Sequence, residues 1–412
     1  MPALSRRQIE TVIAALVAIA AAIVGITTRE STRALGPKFI TVQRIARLKE
    51  PVYLTQPPGP GPQLYIVQRQ GAVRIVAADR LLPRPFLKLH GLVNPNASGE
   101  TGLSSVAFPP DYARSGLFYV AYTDRRNALR VVEYRRSAQN PLVADPASAR
   151  PVISIPEPTS NRHGGLIAFG PDGYLYFGAG DGSPAGDLRY FAQNKKLLLG
   201  KILRIDPAAS GSRPYSVPAD NPFVGRPGRD EIWAFGLSDP RSFSFDRSTH
   251  TIGIADVGGL RFEEIEFLPV AKARGANFGW PAYDGPAPAK GGVPRAETVL
   301  PAIAYPRRHG CTVIGGYLAR DPRLARIRGR ELLGRYLYAN RCTGKLYGFR
   351  PRPGQAPGKL QSFGFRFRYL NSFGEDGNAR IYLLTDKGPA RHGKPTLGSV
   401  YRLVPNRKEI SG

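Results

Sequence analysis

The sequence is poor in cysteine and lacks the common catalytic signatures. Only two cysteines occur in 412 residues, Cys311 and Cys342, and neither has a C-x-x-C partner or a nearby paired histidine. A cysteine-based metal site therefore has no support. No EF-hand loop, HExxH, GxSxG, P-loop or dinucleotide fingerprint is present, so the usual hydrolase and nucleotide-binding functions lack a motif.

Long apolar runs are absent except near the N-terminus, where residues 11–28 carry no charge and follow Arg6 and Arg7. This run falls between a secretory h-region and a full membrane span in length. Because no A-x-A site closes it, we expect an uncleaved signal anchor, with a cleaved signal peptide as the alternative. Both predict export to the periplasm or to the outer face of the cytoplasmic membrane. In an exported chain, Cys311 and Cys342 predict a disulfide.

Composition divides the chain into four segments. Residues 1–28 form the signal segment and residues 29–42 a polar linker, whereas residues 43–405 keep a uniform composition that predicts one domain. Residues 406–412 are predicted to form a disordered tail.

Acidic residues are scarce relative to basic ones, 31 against 58, which gives a formal net charge of +27. The basic residues are scattered, without interleaved aromatics or a nucleic-acid motif, so we expect no nucleic acid partner. A positive surface suits anionic lipid headgroups, a polyanionic envelope or an acidic cofactor, and a merely solvated surface is the alternative.

Helical patterns are sparse after residue 50, and six segments instead repeat a strand, a turn containing Gly or Asp, and a second strand. A hairpin cannot bury its apolar face alone, so hairpins roughly 60 residues apart predict sheets stacked around an axis. The sequence therefore predicts an all-β fold, a six-bladed β-propeller. One or two β-sandwiches are the alternative, although their strands are more tightly spaced. The segments begin at Gln63, Gly116, Gly173, Thr251, Gly334 and Ala379.

Two glycine-rich turns carry the first candidate residues. His163 precedes two glycines and a strand, and Asp181 follows Gly178 and Gly180 one strand later. Neighbouring strands would bring both turns to one face, where a carboxylate can hold the imidazole in one tautomer and raise its basicity. A structural or solvated histidine is the alternative.

Two further clusters suggest ion binding. Asp256, Glu263 and Glu264 flank a Gly-Gly turn, and carboxylates with free carbonyls suit Ca²⁺, although Glu263 and Glu264 also read as ordinary strand residues, one facing outward. Arg366 and Arg368 alternate along a strand, which points both guanidiniums to one face for a polycarboxylate. An exposed edge strand would show the same arginine pattern.

Several ordered stretches resemble the glucose/sorbosone dehydrogenase family, whose members are six-bladed propellers and include aldose and glucose dehydrogenases and the propeller of hedgehog-interacting proteins. The stretches that carry this resemblance include HGGLIAFGPDGYLYFGAGDG, EIWAFGLSDPRSFSFDR and ADVGGLRFEEIEFL with GANFGWPAYDG. The resemblance covers about residues 43–405. It implies pyrroloquinoline quinone (PQQ) and Ca²⁺ as cofactors, and oxidation of the anomeric hydroxyl of sugars.

The resemblance also implies residue roles. His163 would be the general base as hydride passes to the quinone, and Asp181 would orient it. The carbonyls of Gly258 and Gly259 would bind the catalytic Ca²⁺. Two further sets are implied: Glu264 with the main chain at Phe278 for a second Ca²⁺, and Arg366 with Arg368 for the cofactor carboxylates.

Some positions depart from the family pattern. Ser238 and Asp239 replace an arginine and an asparagine that normally approach the quinone, and Glu100 replaces a glutamine of the glucose dehydrogenases. Losing a cation and gaining a carboxylate weakens binding of an anionic cofactor. Arg241 would compensate only if its loop shifts. A cofactor-contacting lysine of the glucose dehydrogenases maps near Cys342.

The sequence thus predicts a membrane-associated sugar dehydrogenase that depends on PQQ and Ca²⁺ and passes electrons to a respiratory acceptor. The alternative is a propeller that has lost this chemistry and binds a glycan, lipid or protein. Ser238 and Asp239 favour the alternative.

Overall fold

The structure is a computed structural model that describes residues 40–89, 91–94, 101–183, 186, 187, 189–326, 332–352, 357, 358, 360–367, 369–386, 388 and 396–406. The predicted signal segment 1–28, Glu100 and Arg368 lie outside these residues. Within the described ranges, no helix combines the length and apolar composition needed to cross a membrane.

Strands dominate the described chain. The first fourteen are β1 Ile40–Lys49, β2 Pro51–Thr55, β3 Gln63–Gln68, β4 Ala72–Ala77, β5 Arg80–Leu81, β6 Leu87–Lys88, β7 Leu103–Ala107, β8 Leu117–Thr123, β9 Ala128–Arg136, β10 Ala144–Pro156, β11 Gly164–Phe169, β12 Leu175–Ala179, β13 Lys201–Ile205 and β14 Ile232–Phe235. The others are β15 Pro240–Asp246, β16 Thr251–Asp256, β17 Phe262–Pro269, β18 Tyr283–Asp284, β19 Ala287–Pro288, β20 Ile303–Pro306, β21 Val313–Leu318, β22 Tyr336–Asn340, β23 Lys345–Phe349, β24 Gln361–Arg366, β25 Leu370–Glu375, β26 Ile381–Thr385 and β27 Leu397–Pro405. Short α-helices span Tyr112–Ser115 and Val270–Ala273, and 3-10 helices span Arg295–Glu297, Arg307–His309 and Pro322–Arg326.

Most strands form antiparallel sheets of four. The orders are β10-β9-β8-β7, β11-β12-β13-β14, β15-β16-β17-β20 and β21-β22-β23-β24. A nine-stranded sheet runs β1-β27-β26-β25-β2-β3-β4-β5, with β6 on β4, and the pair β18-β19 stands apart. Strand β1 begins inside the predicted linker 29–42, so the predicted start of the β-structure at residue 43 was too late.

All six hairpins predicted from the sequence are present as antiparallel pairs. They are β3-β4, β8-β9, β12-β13, β16-β17, β22-β23 and β26-β27. One further strand flanks each pair on its inner side, and these inner strands contact one another in the closed order β2, β7, β11, β15, β21, β25 and back to β2. The fold is therefore propeller-like, with a channel between the inner strands.

The apolar core fills the space between adjacent sheets. Tyr176 packs edge-to-face on Trp233, and Phe86 and Phe118 lie with ring centroids 4.8 Å apart. Because each sheet packs a neighbour on both faces, side chains of both parities along a strand are buried. Loops at the ends of the inner strands are left to form a site.

Candidate functional site

His163 ends the loop before β11 and is 1% exposed. The backbone beside it must be glycine, since Gly164 has φ 66° and a Cβ there would lie 2.5 Å from the Gly178 carbonyl oxygen. The imidazole Nε2 lies 2.8 Å from the Thr159 carbonyl oxygen and Nδ1 lies 3.3 Å from Thr123 Oγ1. A carbonyl oxygen only accepts, so the hydrogen is assigned to Nε2, and Nδ1 accepts from the threonine hydroxyl.

Asp181 is fully buried and has different partners from those predicted. Its Oδ2 accepts from Arg162 Nη1 at 3.2 Å and from Trp280 Nε1 at 2.8 Å, and its Oδ1 accepts from the Ser183 amide. Burial raises the pKa of Asp181 to about 6, although Arg162 opposes the rise. Asp181 thus holds the guanidinium of Arg162, and its role in orienting His163 stays a prediction.

The Gly258–Gly259 turn presents its carbonyls to two guanidiniums. Arg162 Nη2 donates to the Gly259 oxygen at 2.7 Å, and Arg307 Nη1 donates to the Gly258 oxygen at 3.1 Å and to the Gly259 oxygen at 3.4 Å. Arg307 also pairs with Glu263, Nε to Oε1 at 3.2 Å. The carbonyls predicted to bind a catalytic Ca²⁺ thus already have cationic donors, and the turn does not fit that metal.

Glu264, which the sequence predicts for a second Ca²⁺ site, lies in a row of buried carboxyls. Glu264 faces Asp256 across β16-β17, and Glu266 lies two residues further along the same face; we call these three the acidic row. Burial raises the pKa of Glu264 to about 8 and the pKa values of Asp256 and Glu266 well above their usual range. The Phe278 amide donates to the Phe235 carbonyl oxygen, within the core.

Among the residues described, no group of three or more His, Cys, Asp or Glu side chains is arranged to hold a metal ion. The alternative that one of Glu263 and Glu264 faces outward is also wrong, because both are buried. Glu263 accepts from the amides of Thr312 and Val313 and so links β17 to β21.

Ser238 and Asp239, the residues that depart from the family pattern, tie neighbouring loops together. Asp256 accepts from both of their amides, at 2.8 and 2.6 Å, and Asp239 Oδ1 accepts from the Gly164 amide at 2.9 Å. The Ser238 carbonyl accepts from the Asp181 amide. Both residues therefore brace the loops of His163 and Asp181.

A cluster of guanidiniums lies at the mouth of the channel beside His163, and Arg241 is the only one of its members that the sequence pointed to. Arg69, Arg241, Gly164 and Asp239 all line a cavity of about 60 Å³ there. Burial lowers the pKa of Arg69 to about 10, and the nearby charges of Arg241 and Arg341 add to the lowering. Such a convergence of cations suits an anion, and the cavity has room for a group the size of a carboxylate.

Arg366, which the sequence predicts to bind the cofactor, is placed differently. Arg366 is exposed at the end of β24, the outermost strand of its sheet, and it does not line the cavity. Proximity in the folded chain reveals the inner cluster, because Arg69 lies in the turn between β3 and β4 and Arg241 lies in β15. The disulfide between Cys311 and Cys342 is present, with Cα atoms 5.4 Å apart.

Comparisons with known proteins place this chain among propellers. The Glucose / Sorbosone dehydrogenase family matches residues 48–308. The chain is 35% identical over 307 residues to HIPL1 protein of Arabidopsis thaliana, covering 61% of this chain and 42% of that protein. It is 32% identical to Hedgehog-interacting protein of Mus musculus, covering 55% and 35%, and 29% identical to Aldose sugar dehydrogenase YliI of Escherichia coli (strain K12), covering 53% and 55%.

The chain therefore matches less than half the length of its plant and mouse relatives. Among solved structures, the PQQ-bound aldose sugar dehydrogenase from Streptomyces coelicolor superposes with a TM-score of 0.66 at 23% identity, covering 88% of this chain and 98% of that one. This likeness establishes a shared fold.

Proposed function

Because the chain belongs to the glucose / sorbosone dehydrogenase family, we propose that it oxidises the anomeric hydroxyl of aldose sugars with an anionic quinone of the PQQ class. The observation that carries the proposal is the convergence of Arg69 and Arg241 on one cavity at the mouth of the channel. Two guanidiniums can hold the carboxylates of such a quinone through charge-assisted hydrogen bonds.

The proposal includes a six-bladed propeller. The nine-stranded sheet counts as two blades, β2 to β6 and β25 to β27 with β1, which meet where Leu54 and Gly374 pair in parallel. With the four four-stranded sheets this gives six blades, in accord with the closed order of the inner strands. The sequence leader and the disulfide support export, and a respiratory acceptor would take the electrons.

Several residues would hold the quinone and move protons. Arg69 and Arg241 would bind carboxylates, and Arg341, which donates to the Leu370 carbonyl oxygen, would add positive charge. When bound, the quinone supplies the two-electron acceptor that sugar oxidation requires. His163 would take the hydroxyl proton at Nδ1, the nitrogen that carries the lone pair, once the Thr123 hydroxyl releases it. No part of this proposal uses Ca²⁺ at Gly258–Gly259.

The test has two parts. PQQ is titrated into the purified chain while the absorbance of the quinone reports binding, and dye-linked oxidation of glucose reports turnover. We expect saturable binding and turnover in the wild type. Arg241→Gln should weaken binding by roughly tenfold or more, because one charge-assisted hydrogen bond contributes about 1.5 to 3 kcal/mol.

Arg366→Gln is the matched control, since it removes the same charge from the exposed end of β24 and should leave the affinity unchanged. His163→Ala should retain binding and abolish turnover. A wild type that binds no PQQ would end the proposal, and so would equal losses of affinity in Arg241→Gln and Arg366→Gln.

One observation favours a second function, a propeller that binds an anionic glycan, lipid or protein without chemistry. The His163 imidazole is buried, and both of its nitrogens have protein partners. This candidate predicts no turnover with any aldose and no effect of His163→Ala on ligand binding. Turnover by the wild type that is lost in His163→Ala would exclude it.

A further inference from the structure

We infer that the guanidiniums of Arg162 and Arg307 are the fixed cations of the Gly258–Gly259 carbonyl pair, and that this turn therefore works without a divalent metal. The inference concerns the chain's own residues. It does not depend on the proposed dehydrogenase activity, because it is tested by metal binding to the chain alone.

Both carbonyl oxygens of the turn already have cationic donors. A Ca²⁺ ion sits 2.3 to 2.6 Å from each oxygen ligand and needs six to eight of them. The Gly259 oxygen already has Arg162 Nη2 at 2.7 Å, and the Gly258 oxygen has Arg307 Nη1 at 3.1 Å. A metal shared by both carbonyls would lie close to both guanidiniums and would be repelled by their positive charge.

Each guanidinium also has its own anchor, a buried carboxylate that pairs with it. Asp181, which is fully buried, holds Arg162, and Glu263, also fully buried, holds Arg307. Displacing either guanidinium would leave a buried carboxylate without its ion-pair partner, which is a costly arrangement. The anchors therefore keep both cations on the carbonyls.

The backbone of the turn is closely packed by its neighbours. A Cβ at Gly258 would lie 1.3 Å from the Phe262 carbonyl oxygen, and a Cβ at Gly259 would lie 1.8 Å from the Trp280 ring. The ring therefore packs directly on the turn, and the Arg162 guanidinium lies 5.7 Å from its centroid. The Trp280 ring and the Arg162 guanidinium therefore both lie close to this turn.

The contact with Trp280 supplies a local probe. Tb³⁺ replaces Ca²⁺ at oxygen sites and emits when a nearby tryptophan transfers energy to it. We expect the full wild-type chain, stripped with EGTA and titrated with Tb³⁺, to show no saturable tryptophan-sensitised emission. Its melting temperature should be the same in Ca²⁺ and in EGTA.

A matched pair of variants completes the test. Arg307 and Arg308 are neighbours in one 3-10 helix, but only Arg307 contacts the carbonyls and Glu263. Arg307→Gln should lower the melting temperature by several degrees, whereas Arg308→Gln should not change it. Saturable wild-type emission that Ca²⁺ competes away would overturn the inference, as would equal melting temperatures of Arg307→Gln and Arg308→Gln.

Discussion

The Gly258–Gly259 turn and the acidic row belong to the same hairpin, β16-β17, yet their polar groups are neutralised in opposite ways. At the turn, carbonyl dipoles meet guanidiniums that come from the loop before β11 and from the 3-10 helix after β20. Along the row, burial raises the carboxyl pKa values, which favours the neutral, protonated form. A buried polar group therefore does not by itself indicate a metal, because a basic side chain or protonation can also neutralise it.

The largest effect in this comparison is expected from Arg162→Gln. The change leaves Asp181 without its ion-pair partner and the Gly259 oxygen without a close donor. We expect a loss of about 3 kcal/mol in the free energy of unfolding at neutral pH, measured by urea denaturation. Arg308→Gln is the control: it removes an exposed arginine and should change the free energy of unfolding by no more than about 0.5 kcal/mol. If Arg162→Gln lost no more stability than Arg308→Gln, the Arg162 guanidinium would not be needed at the turn.

A smaller, pH-dependent effect is expected from Glu264→Gln. Below the ordinary pKa of 4.5 the carboxyl is protonated in both the folded and the unfolded chain. As the pH rises, the unfolded chain releases the proton first, whereas the folded chain keeps it until about 8. Stability from this group is therefore present at low pH and falls across that window, by at most about 1.4 kcal/mol per pH unit.

The amide cannot ionise, so Glu264→Gln should gain stability relative to the wild type between about pH 5 and pH 8, on the order of 2 kcal/mol because neighbouring carboxyls share the titration. The measurement is urea denaturation of both proteins at several pH values. A stability difference that stays constant over this range would show that Glu264 ionises at its ordinary pKa in the folded chain.

The smallest effect is expected from Glu157→Gln. Glu157 is buried, neither of its oxygens has a hydrogen-bond partner in the described part of the chain, and burial raises its pKa well above the usual range. Exchanging a protonated carboxyl for an amide at neutral pH should change the unfolding free energy by less than about 1 kcal/mol. A change of several kcal/mol, in either direction, would show that Glu157 is charged in the folded chain.

The hairpins were predictable from the sequence because strand alternation and turn residues are local signals. The disulfide was predictable because an exported chain has only one way to pair two cysteines. The position of β1 was not, since Ile40 belongs to a strand whose partner, β27, ends at Pro405, at the other end of the described chain.

The site was harder to predict because its key contacts join distant parts of the chain. Arg162 and Gly259 are 97 residues apart, and nothing in the local pattern of either residue indicates the other. The burial of both Glu263 and Glu264 was missed because alternation implies one exposed face, whereas a sheet between two others has none. The Arg366 and Arg368 pattern fitted an edge strand equally well, and the structure places Arg366 on one.

The most direct test of the account is a crystal of the full chain grown with PQQ and soaked in Tb³⁺, whose anomalous scattering locates the metal. The account predicts quinone carboxylates against Arg69 and Arg241, and no anomalous peak between the Gly258 and Gly259 carbonyls, where Arg162 and Arg307 remain. A Tb³⁺ ion at that turn with the guanidiniums displaced would contradict it.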